Sequence, residues 1–230
     1  MARGSMIRMT MRDSAAIGVY HVEPSGARRG GLVVIQEIFG ITEHIKAVCD
    51  GFADDGYEVL APSLFDREEP GFLAGYSPEE MQRGVRMSRD IHSFELSVAD
   101  ACHCVAAQRN KGPVFMVGYC YGGSVVWAAA CECDGLAAAS SYYGRLVPEM
   151  ADRQAKCPVI CHFGAHDSGI PLDGVKRFAA AHPEVPVCIY DAGHGFNSDR
   201  PDYHNAAAAT LARQRTLNLF TKNEGSRHLG

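Results

Sequence analysis

Short apolar runs alternate with longer helical patterns along most of the chain, and this alternation constrains the fold more than any other feature. Runs such as Gly31–Gln36 and Pro113–Gly118 are apolar almost throughout, which is typical of strands covered on both faces in a parallel sheet. Between them, Glu43–Asp54 follows the candidate N-cap Thr42 and predicts a helix. The alternation predicts an α/β fold, with a mostly parallel central sheet and helices on both faces.

The remaining predicted elements continue this pattern to the end of the chain. Strands are expected at Tyr57–Ala61, Leu136–Tyr143, Pro158–Phe163 and Val185–Tyr190, and helices within Pro78–Asn110 and over Tyr121–Cys133, Leu172–Ala181 and Tyr203–Phe220. The segment Ser63–Ser77 is rich in glycine, proline and charge and predicts a long loop, which could cover a site or lie away from it. We find no linker or repeat and predict one domain over residues 1–230.

The first five residues precede Met6 and lack the apolar core of a signal peptide. We interpret them as a cloning remnant and leave them out of the fold prediction. The chain has no apolar run near the ~20 residues that a membrane span needs. With a net charge of −5 and no basic patch, it is not expected to bind nucleic acid.

Cysteine usage bears on compartment and on metal binding. The nine cysteines are odd in number and irregularly spaced, which favours free thiols in a reducing cytoplasm. The pairs Cys102/Cys104 and Cys131/Cys133 are spaced too closely for most zinc sites. We therefore expect no metal and no cofactor, and a monomer rather than an obligate oligomer.

The segment Gly118-Tyr-Cys120-Tyr-Gly122-Gly123 lies between a predicted strand and a predicted helix. It has the G-x-S-x-G pattern of a nucleophile elbow, with cysteine in the serine position. The turn in such an elbow is so sharp that side chains at the glycines would collide with the neighbouring strand or helix. The N-terminus of the following helix points at the nucleophile and favours a thiolate. Cys120 is therefore a candidate nucleophile; the alternative is a buried cysteine in a glycine-rich turn.

A candidate acid and a candidate base follow in the chain order that this kind of elbow requires. Asp167 and His194 each lie in a loop after a predicted strand, at the sheet edge where open α/β folds build their sites. His166 is a competing base and Asp191 a competing acid. The chain order favours Asp167 and His194.

The other histidines are expected to have structural roles. His162 is predicted inside a strand as a satisfied core residue. The rest are expected to be solvated or partly packed at termini, in helices or at helix ends, namely His21, His44, His92, His103, His182, His204 and His228.

The residues Glu37 and Ile38 follow the first buried strand. An oxyanion hole in such a fold takes one backbone N–H from the residue after the nucleophile and one from the loop after an early strand. Tyr121 and Ile38 are the candidates. A carboxylate directly after an apolar strand indicates that Glu37 faces either the site or solvent.

These segments together resemble the dienelactone hydrolase family of α/β-hydrolases. The matching segments are Gln36 to Gly40, Gly56-Tyr57, Ala61-Pro62, Leu64-Phe65, Val117 to Gly123, Tyr142 to Gly144, Gly164 to Asp167 and Ala192 to Phe196. The resemblance implies an α/β-hydrolase fold, a triad of Cys120, His194 and Asp167, and a contact between Glu37 and the resting nucleophile. It also implies hydrolysis of dienelactone, an unsaturated enol lactone of chloroaromatic degradation.

The chain departs from the family in the residues that hold the substrate carboxylate. The family uses one arginine in the long helix before the elbow strand and another four residues after the catalytic histidine. Here the latter position is Ser198 and the nearest arginine is Arg200. The corresponding helix carries Arg83, Arg86 and Arg89. We take Arg86, Tyr143 and Arg200 as candidate substrate contacts; for the arginines the alternative is a solvated charge.

The hypothesis that follows is hydrolysis of a small lactone or activated ester through a thioester on Cys120. A thiolate is a good leaving group, so a substrate with a poor alkoxide leaving group would often revert. The alternatives are a general carboxylesterase or thioesterase on the same triad, and a binding module without turnover. A thioredoxin-like role lacks the C-x-x-C motif.

Overall fold

The computed structural model describes residues 3–225, which form one eight-stranded sheet flanked by helices. The strand order is β1-β2-β4-β3-β5-β6-β7-β8. The strands are β1 (Ser5–Thr10), β2 (Ala16–Val22), β3 (Gly30–Ile35), β4 (Tyr57–Pro62), β5 (Val114–Tyr119), β6 (Leu136–Tyr142), β7 (Val159–Gly164) and β8 (Val187–Tyr190). β1 and β2 pair antiparallel, β2 joins β4 antiparallel, and every pairing from β4 to β8 is parallel. The mostly parallel sheet confirms the predicted fold class.

The helices connect the parallel strands and cover both faces of the sheet. They are α1 (Glu43–Asp54), α2 (Pro78–Arg86), α3 (Phe94–Gln108), α4 (Tyr121–Glu132), α5 (Leu172–Ala181) and α6 (Ala206–Lys222). The predicted helical region Pro78–Asn110 is two α-helices. A π-helical turn, Met87–Ile91, follows α2, and the side chain of Ser93 then caps α3 by accepting from the Leu96 N–H.

The strands at the centre of the sheet are buried along their whole length. β3, β5 and β6 contain no exposed residue, as expected for parallel strands with helices on both faces. A ring contact between Phe52 of α1 and Phe220 of α6 joins one pair of helices, and Trp127 of α4 meets Phe178 of α5. All parallel strands therefore end at one edge of a rigid sheet, where the loops converge.

A small polar cluster attaches α6 to the sheet. The Thr216 hydroxyl bonds to Ser140 Oγ at 2.8 Å, to the Tyr142 hydroxyl at 2.9 Å and to His162 Nε2 at 3.2 Å. His162 Nδ1 lies 2.8 Å from the Tyr190 hydroxyl. Burial lowers the pKa of His162 to about 3, so this imidazole is neutral. The prediction of a satisfied core histidine is confirmed.

Residues 3–5, which the fold prediction left out, are bonded to the rest of the structure. Ser5 begins β1, and the Gly4 N–H donates to the Tyr20 hydroxyl at 2.8 Å. The Arg3 N–H donates to Asp50 at 2.9 Å. β1, at the edge of the sheet, has no buried residue, so no continuous apolar run reveals it; β2 is mostly buried, and the sequence analysis missed it. Residues 1 and 2, and His228, lie outside the described residues.

The prediction that all cysteines are free thiols is also wrong. Cys102 of α3 and Cys133, directly after α4, form a disulfide with a Cα–Cα distance of 5.4 Å. Residues two apart on a helix point in different directions, so only one cysteine of each Cys-x-Cys pair faces the neighbouring helix. The other seven cysteines are free.

Within residues 3–225 no helix is both long and apolar enough to cross a membrane. The single domain and the monomeric state stay predictions.

Candidate active site

Cys120 lies in a sharp turn between β5 and α4. Its backbone has φ 56° and ψ −114°, a conformation that non-glycine residues rarely adopt and that strained functional turns retain. A Cβ on Gly122 would lie 2.4 Å from the Ile35 carbonyl oxygen, and one on Gly123 would lie 2.3 Å from the Tyr142 carbonyl oxygen. The predicted collisions are present. The glycines let the elbow pack directly against the ends of β3 and β6.

The structure brings Cys120, His194 and Asp167 together in the predicted order. Cys120 Sγ lies 3.1 Å from His194 Nε2, and His194 Nδ1 lies 2.6 Å from Asp167 Oδ2. Asp167 is buried, and its other oxygen accepts from the Gly169 N–H at 2.8 Å. Each residue follows the carboxyl end of a parallel strand: β5, β7 or β8. This is the geometry of a nucleophile, a base and an orienting acid.

The charge state of His194 follows from its two partners. Burial opposes its protonation, but the charge of Cys120 and the hydrogen bonds to Asp167 and Cys120 raise its pKa well above the ordinary value. A proton on His194 is therefore favoured when the sulfur is a thiolate. His194 is therefore placed to hold the proton of the Cys120 thiol when the sulfur attacks a carbonyl.

The competing base and acid pair with each other. His166 Nε2 lies 2.6 Å from Asp191 Oδ1, and both side chains are exposed. His166 therefore bonds away from Cys120. The hydrogen bonds thus bring His194 and Asp167, and not His166 and Asp191, to Cys120; their roles as base and acid stay predictions.

Glu37 follows β3 and is buried, with 4% of its surface exposed. Burial raises its pKa to about 7; the positive charges of His194 and Arg200 oppose that rise, while Asp199 adds to it. The carboxyl has no hydrogen-bond partner among residues 3–225. Glu37 thus faces the site rather than solvent, but the hydrogen-bond neighbour of the Cys120 sulfur in this structure is His194. A resting contact between Glu37 and Cys120 stays a prediction.

The candidate oxyanion donors lie on adjacent segments. Tyr121 is the first residue of α4, so its N–H has no partner within the helix. The loop of Ile38 is held by Gln36, whose side chain accepts from the Leu64 N–H at 3.1 Å and donates to the Glu37 carbonyl at 3.2 Å. The close contact of Gly122 with the end of β3 brings both segments together. Their role as an oxyanion hole stays a prediction.

The two arginines of α2 bond to other loops or face solvent. Arg83 donates to the Leu73 carbonyl at 2.8 Å, pairs with Glu69 and lies 4.6 Å above the Phe72 ring, so it anchors the long loop. Gly84 faces Ile38, and Arg86, two residues on, is exposed on the opposite side of the helix. Arg86 as a substrate contact is therefore not supported.

Tyr143 lies against the candidate base. Its ring centroid is 5.1 Å from that of His194, its φ is 38°, and its side chain is fully buried. The hydroxyl is a buried polar atom without a hydrogen-bond partner in the described part of the chain. An unpartnered buried hydroxyl costs stability. Because this hydroxyl is free to bond and its ring lies beside His194, Tyr143 stays a candidate substrate contact.

The long loop predicted at Ser63–Ser77 lies over the edge of the site. Leu73 bridges to Gly40, and the Ala74 N–H donates to the Phe39 carbonyl at 3.1 Å. The next aromatic residue, Tyr76, donates its hydroxyl to Asp199 at 2.8 Å. No periodicity or turn pattern in the sequence distinguished Tyr76, so these contacts were not predicted.

One group of side chains within residues 3–225 could hold a cation: His21, Glu23 and Glu58. Glu58 is already paired with Arg28 at 2.7 Å and with Lys111 at 2.8 Å. It lies near the amino end of β4, away from the carboxyl ends that carry the site. A cation held by these three residues would lie away from the triad and would take no part in its chemistry.

The sequence model of the dienelactone hydrolase family matches residues 17–223. The chain belongs to the dienelactone hydrolase family. As a family member it is a hydrolase that acts on lactone or ester bonds.

Several proteins of this family are similar to the chain in sequence or in structure. A protein of Escherichia coli K12, named putative carboxymethylenebutenolidase, is 33% identical over 91% of this chain and 84% of its own length. The carboxymethylenebutenolidase of Pseudomonas putida is 27% identical over 90% of this chain and 92% of its own. The crystal structure of a putative dienelactone hydrolase from Klebsiella pneumoniae has a TM-score of 0.82 and 26% identity, covering 95% of this chain and 98% of that chain.

Proposed function

We propose that this dienelactone hydrolase family member cleaves small lactones or activated esters through a covalent thioester on Cys120. The observation that carries the proposal is the chain of contacts from Cys120 Sγ to His194 Nε2 (3.1 Å) and from His194 Nδ1 to Asp167 (2.6 Å). Nucleophile, base and orienting acid within hydrogen-bond reach are the requirement for nucleophilic catalysis.

In the first half-reaction, the Cys120 thiolate attacks the carbonyl carbon and the carbonyl π electrons move to oxygen. The backbone N–H groups of Ile38 and Tyr121 donate to that oxyanion, and losing one such donor typically costs about 3 kcal/mol. The tetrahedral intermediate collapses, the carbon–oxygen bond to the leaving group breaks, and His194 gives its proton to the departing oxygen. A thioester remains on Cys120.

In the second half-reaction, neutral His194 takes a proton from water, whose oxygen attacks the thioester carbonyl. The second tetrahedral intermediate expels the Cys120 thiolate and releases the acid. Asp167 accepts from His194 Nδ1 throughout, so the imidazole keeps Nε2 toward the sulfur. The two half-reactions together return the triad to its initial protonation state.

The thiolate also limits which substrates are cleaved. In the tetrahedral intermediate the sulfur competes with the leaving oxygen, and a poorly stabilised alkoxide loses that competition. Enol lactones and aryl esters leave as stabilised anions and are the favoured class. Dienelactone, the substrate class named in the family, meets this condition. Simple alkyl esters do not.

The test is the initial rate of hydrolysis of dienelactone and of p-nitrophenyl acetate, by the natural protein and by Cys120→Ala. We expect turnover of dienelactone that is lost in the variant, with an unchanged circular dichroism spectrum. Turnover of p-nitrophenyl acetate alone would support the triad and a general carboxylesterase or thioesterase. Equal rates in both proteins would refute Cys120 as the nucleophile. A Cys161→Ala variant, which removes a buried thiol within β7, is the matched control.

A further inference from the structure

The long loop Ser63–Ser77 reaches the site in two places. In its second half, the Tyr76 ring centroid lies 4.9 Å from the Cζ atom of Arg200, one of the candidate substrate contacts. In its first half, the Glu68 carboxylate bonds His92, which lies between α2 and α3. The contact of Glu68 begins a series of buried hydrogen bonds that ends beside Cys120.

This series joins the long loop to the start of α4. His92 Nδ1 lies 2.9 Å from Glu68 Oε1, and His92 Nε2 lies 3.0 Å from Ser97 Oγ. Ser97 Oγ in turn lies 2.8 Å from the Tyr121 hydroxyl oxygen. The side chains of His92 and Ser97 have no exposed surface. We call Glu68, His92 and Ser97 the anchor of Tyr121.

The turn between α2 and α3 places His92 in this anchor. The π-helical turn Met87–Ile91 ends at His92, whose N–H donates to the Met87 carbonyl at 2.8 Å. The His92 backbone is then extended, with φ −88° and ψ 139°. Turns of this kind are rare and are often found at functional sites. His92, expected from the sequence to be solvated or partly packed, is therefore a buried residue with both ring nitrogens bonded.

The anchor has the carboxylate, imidazole and hydroxyl of a hydrolytic triad, but it does not form a second one. A nucleophile must be reached by its substrate, and Ser97 is completely buried. Its hydroxyl is also bonded to the Tyr121 hydroxyl. The anchor therefore ends on Tyr121 and not on a substrate.

One set of proton positions satisfies every bond of the anchor. A carboxylate only accepts, so His92 Nδ1 donates to Glu68. With the imidazole neutral, Nε2 is then an acceptor, and the Ser97 hydroxyl donates to it. The Ser97 oxygen accepts from the Tyr121 hydroxyl in turn. Because all the donors point towards Glu68, each bond polarises and strengthens the next.

Tyr121 is held at its ring as well as at its hydroxyl. Its ring centroid lies 5.7 Å from that of Phe65 and 5.9 Å from that of Phe94. Phe65 also contacts the His92 ring, with centroids 5.3 Å apart. Tyr121 directly follows Cys120, and its N–H belongs to the peptide unit that joins the two residues. A fixed Tyr121 side chain therefore limits the rotation of that peptide unit.

We propose that Glu68, His92 and Ser97 are positioning residues, which act through the Tyr121 hydroxyl to hold the Tyr121 N–H in the direction of the substrate oxyanion. This inference rests on the proposed function, in which that N–H is an oxyanion donor. Asp167 orients the base of the site, whereas the anchor orients the donor that the carbonyl oxygen meets.

The strained backbone of Cys120 gives the physical reason for the anchor. Cys120 has a positive φ of 56°, and such a conformation persists only where the surrounding structure over-determines it. The contacts of Gly122 and Gly123 hold the elbow against β3 and β6, and the anchor holds it against α3. A donor oriented in advance needs no reorganisation when charge develops on the substrate oxygen.

The first measurement compares Tyr121→Phe and Ser97→Ala with the natural protein in the hydrolysis of p-nitrophenyl acetate. Phenylalanine keeps the ring and the backbone N–H and removes only the hydroxyl. A small misplacement of a reacting group costs up to about a hundredfold in rate, so we expect kcat/KM to fall about tenfold in each variant. The double variant should lose no more than either single variant, because both remove the same hydrogen bond.

A second measurement separates the oxyanion donor from the thiolate. In trifluoroacetone, the Cys120 sulfur forms a bond to the carbonyl carbon, and the carbonyl π electrons move to the oxygen, which becomes an oxyanion. Iodoacetamide alkylates the same sulfur with loss of iodide and forms no oxyanion. We expect the inhibition constant of trifluoroacetone to rise about tenfold in Tyr121→Phe, with the alkylation rate unchanged.

Glu68 tests whether the effect passes through the anchor, since its carboxylate bonds His92 and not Tyr121. Its side chain is 20% exposed, so the fold should tolerate substitutions there. Glu68→Ala removes the acceptor and should lower kcat/KM about threefold. Glu68→Gln keeps an acceptor oxygen and should restore most of that loss. In a Tyr121→Phe background, Glu68→Ala should have no further effect.

Tyr20→Phe is the matched control. It also removes a buried tyrosine hydroxyl, which bonds Asp50 of α1 at 2.9 Å. It should lower the free energy of unfolding and leave kcat/KM and the inhibition constant of trifluoroacetone unchanged. A loss of kcat/KM in Tyr20→Phe equal to that in Tyr121→Phe would show a general effect of stability and overturn the proposal.

Three further results would overturn the proposal: an unchanged kcat/KM in Tyr121→Phe, an equal loss of trifluoroacetone affinity and alkylation rate in that variant, or equal losses in the two Glu68 variants. Cys120→Ala distinguishes this failure from a failure of the proposed chemistry. Hydrolysis by Cys120→Ala as fast as by the natural protein would refute both. Activity that is lost in Cys120→Ala and fully retained in Tyr121→Phe would refute the anchor alone.

Discussion

The buried carboxyl of Glu37 predicts a pH dependence of folding stability that a single substitution should remove. Glu37 is 4% exposed, and burial raises its pKa from 4.5 to about 7. The unfolded chain titrates near the lower value, so between these pH values the folded state holds a proton that the unfolded state has released. The contribution of the protonated Glu37 carboxyl to the free energy of unfolding is therefore fully present below pH 4.5. It is lost as the pH rises through about 7.

The size of the effect follows from that shift. A difference of about 2.5 pKa units, at about 1.4 kcal/mol per unit, corresponds to roughly 3.5 kcal/mol. Glutamine has nearly the same shape and does not ionise. We expect the free energy of unfolding of Glu37→Gln, relative to the natural protein, to increase by about 3 kcal/mol between pH 4.5 and pH 8.5.

The assay is urea denaturation at several pH values, followed by the fluorescence of Trp127. This is the one tryptophan of the chain, and it is fully buried. The difference between the variant and the natural protein isolates position 37 from other titrations. Glu149→Gln, at an exposed residue, should give a difference that does not change with pH. A flat difference for Glu37→Gln as well would show that Glu37 is ionised and stabilised in the fold, contrary to the argument from burial.

Three further predictions concern the site and its supports. Asp167→Asn should lower kcat on p-nitrophenyl acetate by at least about a hundredfold, because asparagine can hold His194 in the wrong tautomer; steady-state kinetics checks this. Tyr143→Phe removes an unpartnered buried hydroxyl and should raise the free energy of unfolding by about 1 kcal/mol while slowing turnover, as thermal denaturation and kinetics would record. Reduction of the Cys102–Cys133 disulfide, which closes a loop of 31 residues, should lower that free energy by about 3 kcal/mol in urea denaturation.

Controls keep these results interpretable. Tyr142→Phe removes the neighbouring hydroxyl, which bonds Thr216 at 2.9 Å, and should destabilise the protein. If Tyr143→Phe also destabilised it, the hydroxyl would have a partner after all. Reductant should leave the stability of a Cys102→Ser/Cys133→Ser double variant unchanged; a loss there would point to another thiol.

The sequence was most informative where only one kind of local structure suits a residue type, as for glycines in a tight turn. The glycines around Cys120 predicted close backbone contacts, and Cβ atoms built there would lie within 2.4 Å of carbonyl oxygens. The polar loops after apolar strands predicted Asp167 and His194, because parallel strands end at a common edge. α1 and α5 have the predicted bounds, since strong periodicity and clear flanking residues mark them.

The sequence was least informative where tertiary contacts decide. β1 is an edge strand with no buried residue, and the contacts of Arg3, just before it, involve residues far along the chain. Which cysteine of each pair faces its neighbour depends on how α3 and α4 are rotated. The contact of Tyr76 with Asp199 joins two loops whose mutual position no local pattern encodes.

The cluster around Thr216 has a consequence for which length changes the chain can tolerate. A hydroxyl has one proton to donate and two lone pairs to accept, so its three partners use its full capacity. Displacing α6 by one residue would rotate Thr216 by about 100° and leave Ser140, Tyr142 and His162 without that partner. Insertions should therefore be accepted in the segment before Asn205, where extra residues loop out. An insertion between Ala206 and Thr216 should unfold the protein.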